Sequence, residues 1–182
     1  MSEGVSGAPV PAAAGLADRL AVPCRALAAA GSLLILALVV LVDLDILGRE
    51  LLARPVRGVS ELLALSIVAI LFLQLPETLR ADRLPRAELV LDRLRGTRPR
   101  LHGLVEAAVH LTGAGLMALL ALVSVPGLLE AWREELYVGA AGDFTAPVWP
   151  VRAVMLIGAA LTAALFLARA LDALGRTARS AR

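Results

Sequence analysis

Four long apolar stretches, separated by shorter polar segments, dominate the pattern of this chain. Their uncharged cores run over residues 26–42, 62–76, 107–129 and 153–168. A membrane-spanning helix needs about 20 mostly apolar residues, and none of these stretches has the polar stripe that a soluble bundle turns to water. The second and fourth cores are short, but charged residues at their ends can reach the interface and extend them. We predict spans over about residues 24–45, 58–79, 104–130 and 149–170.

The segments outside the spans add one predicted element and two tails. Apolar residues recur at helical spacing within 86–95, Pro85 suits the first position of a helix, and Gly96 suits its end. We therefore predict an all-α integral membrane four-helix protein with a short amphipathic interfacial helix between spans 2 and 3. An irregular solvated loop is the alternative for this segment. Residues 1–22 are expected to be a disordered tail, 23–172 the membrane domain, and 173–182 a second tail.

The distribution of arginine predicts how the chain is oriented. With four spans, both termini and the middle loop share one side, which carries 13 of the 18 arginines, and the chain has no lysine. The positive-inside rule places that side in the cytoplasm. Four of the six aromatic residues lie in or beside the third loop, as expected near a lipid–water interface. We predict a multi-pass membrane protein with both termini cytoplasmic.

The composition argues against catalysis and against a cofactor. The chain is 59% hydrophobic, its single cysteine excludes an internal disulfide, and its net charge of +2 is too small to indicate nucleic-acid binding. The central two turns of every span lack Asp, Glu, Arg and Lys, so no ionisable site is expected at mid-membrane. His110 and His102 lie on one predicted helix, whereas a haem would need histidines facing each other, so a hydrogen-bonded His110 is favoured. We predict no enzyme, no cofactor and no metal.

Small residues predict close packing between helices. Gly158 with Thr162, and Ala159 with Ala163, give the fourth span two faces of small residues, and Ala28 with Ser32 does the same for the first span. Small residues let helix backbones approach each other in lipid. This pattern favours a scaffold that packs against other helices.

The turn between the first two spans is the most specific segment. Pro55 biases the preceding residue away from helix, so the first helix must end by Arg54. Gly58 can take a positive φ or permit close approach, and Glu61 lies where a negative charge favours a helix start. Arg49 can pair with Glu61 or with a carboxylate of a partner. These residues either build a hairpin or contact a partner.

The same turn carries a resemblance to a known family. Arg49, Pro55, Gly58 and Glu61, followed by Arg80 after the second span and then by Glu88 and Asp92, resemble the small (Q-type) membrane subunit of tripartite ATP-independent periplasmic (TRAP) transporters. The resemblance covers about residues 30–95. The third and fourth spans match only in hydropathy, and the segment from Ala81 to Pro85 departs from the family's pattern.

The resemblance implies an accessory subunit of the bacterial inner membrane, without a transport site of its own. Its partners would be a large membrane subunit, a periplasmic substrate-binding protein and membrane lipid, and the transporter would take up an organic anion with Na⁺. A self-assembling or accessory four-helix subunit of another complex is the alternative. The residues expected to contact partners are Arg49, Arg54, Pro55, Arg57, Gly58 and Glu61 in the first turn, with Glu134 and Glu135 in the third loop.

Overall fold

The computed structural model describes residues 11–53, 56–81, 99–139 and 144–179. It contains four helices: α1 (Pro11–Leu52), α2 (Val59–Arg80), α3 (Pro99–Arg133) and α4 (Trp149–Arg179). All four are long and apolar enough to cross a membrane. The all-α four-helix fold is therefore confirmed. The predicted interfacial helix at 86–95 lies outside the described residues.

The loop between α3 and α4 contains a minimal antiparallel sheet. Strand β1 is Tyr137–Val138 and strand β2 is Ala146–Pro147, and Tyr137 pairs with Pro147 while Val138 pairs with Ala146. This ladder fixes the base of the loop directly above the ends of the two helices it joins.

Helix α1 is longer at both ends than the predicted span. It begins at Pro11, so residues 11–22, which were expected to form a disordered tail, are helical. The segment is rich in alanine, which has the highest intrinsic helix propensity. At its other end α1 runs seven residues past the predicted boundary, because Asp45 and Arg49 form an i,i+4 ion pair that supports the additional turns.

The helices form two antiparallel hairpins that pack side by side. Helix α4 is the central element, because it contacts α1, α2 and α3, and its contact with α3 is the most extensive. The described residues of the two hairpin turns lie at one end of the bundle, which we call the turn end (residues 53, 56–58, 134–139 and 144–148). The opposite end, which carries the last turns of α2 and α4, is the terminal end.

Glycine permits the closest approaches between helices. A Cβ atom on Gly158 of α4 would overlap the backbone carbonyl of Phe72 in α2, and the adjacent Ala159 and Thr162 are fully buried. The predicted packing face on the fourth span is therefore confirmed. On α1 the buried small residue is Gly31, which lies against Leu73 and Gln74, whereas Ser32 is exposed. The face predicted from Ala28 and Ser32 is therefore displaced by one residue.

An arginine joins the hairpins at the terminal end. The Arg169 guanidinium in α4 donates hydrogen bonds to the carbonyl oxygens of Leu79, at 2.6 Å, and Arg80, at 3.2 Å. These carbonyls belong to the last turn of α2, so the guanidinium joins the end of one hairpin to the other. Nearby, Cys24, Leu79 and Leu165 form a buried cluster that ties α1, α2 and α4 together.

Candidate functional site

Asp45 organises the first turn at the turn end. Its side chain is only 12% exposed, and its two oxygens have different partners. Oδ2 accepts from Arg49 Nη2 at 2.8 Å, and Oδ1 accepts from the backbone N–H of Val56, also at 2.8 Å. One carboxylate thus links the last turns of α1 to the residue that leads into α2. Arg49 pairs with Asp45, which lies one helical turn away on the same face, rather than with Glu61, one of the two partners that the sequence allowed.

Gly58 combines both properties that its position in the turn requires. It precedes α2 with φ 77°, a left-handed backbone conformation that residues other than glycine rarely adopt. A Cβ atom here would also overlap the ring of Phe144, which comes from the loop between α3 and α4. The two turns are therefore in direct contact, and they form a single surface at the turn end.

The other residues predicted in the first turn differ in their surroundings. The Arg49 side chain remains 65% exposed despite its ion pair, and Arg57 is also exposed. Glu61 lies in the first turn of α2, as expected. Arg54 and Pro55 lie outside the described residues. The structure thus brings Arg49, Arg57, Gly58 and Glu61 to one end of the bundle, and whether they contact a partner stays a prediction.

The second turn presents Glu134 and Glu135 to the surroundings. Both are exposed, and Glu135 has φ 49°, a left-handed conformation that is uncommon for a side chain of this kind. The N–H of Leu136 donates to the carbonyl of Ala131 at 3.2 Å, which closes the end of α3 over Glu135. This arrangement resembles the left-handed cap that usually carries glycine.

An aromatic cavity of about 460 Å³ lies beside Glu135. The rings of Trp132 and Trp149 form one corner of it, with centroids 4.7 Å apart and planes at 80° to each other. Among the described residues, those that line it are Trp132, Glu135, Tyr137, Thr145, Pro147 and Trp149. The cavity therefore combines three aromatic rings with one carboxylate, at the point where α3 and α4 emerge from their apolar spans.

The apolar interior of the bundle offers packing contacts. His110 is 4% exposed and lies against the ring of Phe166, with centroids 5.9 Å apart. Arg152, in the first turn of α4, donates to the carbonyl of Gly127 and lies 3.9 Å from a carboxylate oxygen of Glu130. Among the described residues no three His, Cys, Asp or Glu side chains could together hold a metal ion.

Sequence reasoning missed three features of this site. The pairing of Asp45 with Arg49 had a local signal, because the two residues are four positions apart on a helix. It was missed because the first span was predicted to end at residue 45, before Arg49. The contact of Phe144 with Gly58 and the meeting of Trp132 with Trp149 join segments distant in sequence. No local pattern predicts such contacts without the helix packing that creates them.

Comparison with known families agrees with this architecture. The family model for tripartite ATP-independent periplasmic transporters, DctQ component, matches residues 36–176, from the middle of α1 almost to the end of α4. No curated protein and no solved structure shows significant similarity to the chain. The match includes the last two spans, for which the sequence offered only hydropathy. The chain belongs to the DctQ component family of TRAP transporters, and it is a small permease subunit.

Proposed function

We propose that this subunit braces the large transport subunit in the inner membrane, and that its turn end helps the periplasmic substrate-binding protein to dock during Na⁺-coupled uptake of an organic anion. In this scheme both termini are cytoplasmic and the turn end faces the periplasm. Membership of the family supports a large membrane subunit and a binding protein as partners in general terms. The exposed surface of α1 supports the proposed contacts with these partners.

Helix α1 is poorly covered by the rest of the chain. In the most apolar 18-residue window of each helix, only 6% of α1 is buried, compared with 28% of α2 and of α4. Between Arg25 and the exposed Asp43, α1 rises about 27 Å at 1.5 Å per residue. This length accounts for most of the hydrocarbon core, which is about 30 Å thick.

The apolar surface of α1 continues past that length. Four large side chains beyond Asp43 are at least half exposed: Leu44, Ile46, Leu47 and Leu51. We call this segment the α1 extension (residues 44–51). An apolar surface at the depth of headgroups and water is typical of a protein contact, and the exposed Arg49 within it adds a charge. We propose that the α1 extension, including Arg49, contacts the partner proteins, with Arg54, Arg57 and Glu61 next to it and Glu134 and Glu135 across the turn end.

Photo-crosslinking tests this role. A crosslinking amino acid at Leu51 should capture the large subunit or the binding protein in membranes that contain the complete transporter. Val22 provides a matched control, because both side chains are 75% exposed and they lie at opposite ends of the same helix. We expect no capture of the binding protein from Val22. Capture of only a second copy of this chain from Leu51 would contradict the proposal and favour the alternative of a self-assembling subunit.

A further inference from the structure

The aromatic cavity at the turn end has a composition suited to an organic cation. Trp132, Tyr137 and Trp149 contribute three rings, and Glu135 contributes a carboxylate. The face of an aromatic ring attracts a cation within about 6 Å of its centroid, and this is how proteins recognise alkylammonium groups. Ca²⁺ and Mg²⁺ bind through sets of oxygen ligands, whereas the described lining offers three aromatic rings beside the carboxylate of Glu135. The lining therefore favours an ammonium group over a metal ion.

The position of the cavity favours a lipid as the source of that ammonium group. Trp132 lies in the last turn of α3 and Trp149 is the first residue of α4, so both rings lie where the apolar spans end. Trp and Tyr at such positions lie at the level of lipid headgroups. Trp132 and Tyr137 are 61% and 56% exposed, so the cavity is accessible from the surrounding membrane.

The conformation of Glu135 also indicates a function for this side chain. Its positive φ of 49° is a conformation that residues other than glycine rarely adopt. Glycine would relieve this strain, but it would remove a carboxylate that lines the cavity. The neighbouring Glu134 is also exposed, but it does not line the cavity.

We propose that this cavity binds the ammonium headgroup of a membrane phospholipid, with the aromatic rings around the cation and Glu135 as its counter-ion. The site would hold one lipid against the α3–α4 hairpin, at the edge of the surface proposed for partner contact. The site requires only that the turn end lies at a headgroup layer, whichever side of the membrane that end faces.

Tryptophan fluorescence reports directly on this site. The chain has only two tryptophans, and both line the cavity. The full chain is reconstituted in bilayers that contain equal mole fractions of a lipid with brominated acyl chains, which quenches nearby tryptophan. The quenchers compared are phosphatidylethanolamine, phosphatidylcholine, phosphatidylglycerol and uncharged diacylglycerol. We expect the two ammonium lipids to quench at least twofold more strongly than the other two.

Variants separate recognition of the ammonium group from general electrostatics. Glu135→Gln should abolish the preference, whereas Glu134→Gln, which removes the same charge from the adjacent exposed residue, should retain it. Tyr137→Leu, which leaves both tryptophans in place, should weaken the preference. Equal quenching by all four lipids, or a preference that persists in Glu135→Gln, would overturn the proposal. It would also be overturned if purified binding protein or free ethanolamine displaced the lipid, since the cavity would then belong to a protein contact or a soluble amine.

Discussion

At the residue scale, a few side chains with two partners each determine the turn end. Asp45 joins Arg49 to the backbone of Val56, and Gly58 provides both a left-handed turn and the space for Phe144. The conformation of Gly58 could be anticipated from its place between a proline and a helix start. The role of Asp45 could not be anticipated, because an aspartate at the end of an apolar run is equally typical of a residue exposed to water.

The two bonds of Asp45 can be separated by substitution. Asp45→Asn keeps an oxygen that can accept from the Val56 N–H and loses the ion pair with Arg49, whose side chain is 65% exposed. We expect a loss below about 1 kcal/mol in the free energy of unfolding. Asp45→Ala removes both bonds, and we expect a loss of about 1–3 kcal/mol. Denaturant unfolding in detergent measures both, and equal losses would contradict the assignment of the main contribution to the Val56 bond.

At the scale of the elements, the existence of the helices followed from the sequence, but their packing did not. Four uncharged stretches of roughly the length of a bilayer crossing predict four spans. Which helix faces meet depends on how the helices cross. On α1 the small residue at the contact is therefore Gly31, one position from the predicted Ser32. The face around Gly158 could be predicted from the sequence, because α4 is the central helix and its contacts leave room only for small side chains.

The same substitution at two glycines tests this account of packing. Gly158→Ala places a methyl group on the Phe72 carbonyl, whereas Gly115→Ala meets no atom within 4 Å. Forcing atoms into a packed contact typically costs about 1–3 kcal/mol, and alanine at an open helical position gains up to about 1 kcal/mol over glycine. We expect Gly158→Ala to lower the thermal midpoint in detergent and Gly115→Ala to maintain or raise it. A comparable fall in both variants would contradict the proposed contact.

At the scale of the whole molecule, the two hairpins place the start of α1 and the end of α4 at one end, and the described residues of both turns at the other. This arrangement, with the arginine bias, predicts that the turn end is periplasmic. The family could be identified from the turn between α1 and α2, and it is confirmed over residues 36–176. The aromatic cavity could not be predicted, because its lining comes from two helix ends and both strands of a loop.

Cysteine labelling tests the orientation with little background. The only native cysteine, Cys24, is fully buried. Thr145→Cys introduces a thiol at the turn end, and Ala81→Cys introduces one just after α2 at the terminal end, and both positions are exposed. We expect a membrane-impermeant maleimide added to intact spheroplasts to label Thr145→Cys and to spare Ala81→Cys until the membrane is opened. The reverse pattern would contradict the predicted topology.

The bond from Arg169 to the end of α2 also has a consequence for biogenesis. The carbonyls of Leu79 and Arg80 acquire this donor from a residue about 90 positions later in the chain. During synthesis the α1–α2 hairpin therefore enters the membrane before the guanidinium that completes it has been translated. We expect this hairpin to reach its final form only when α4 arrives.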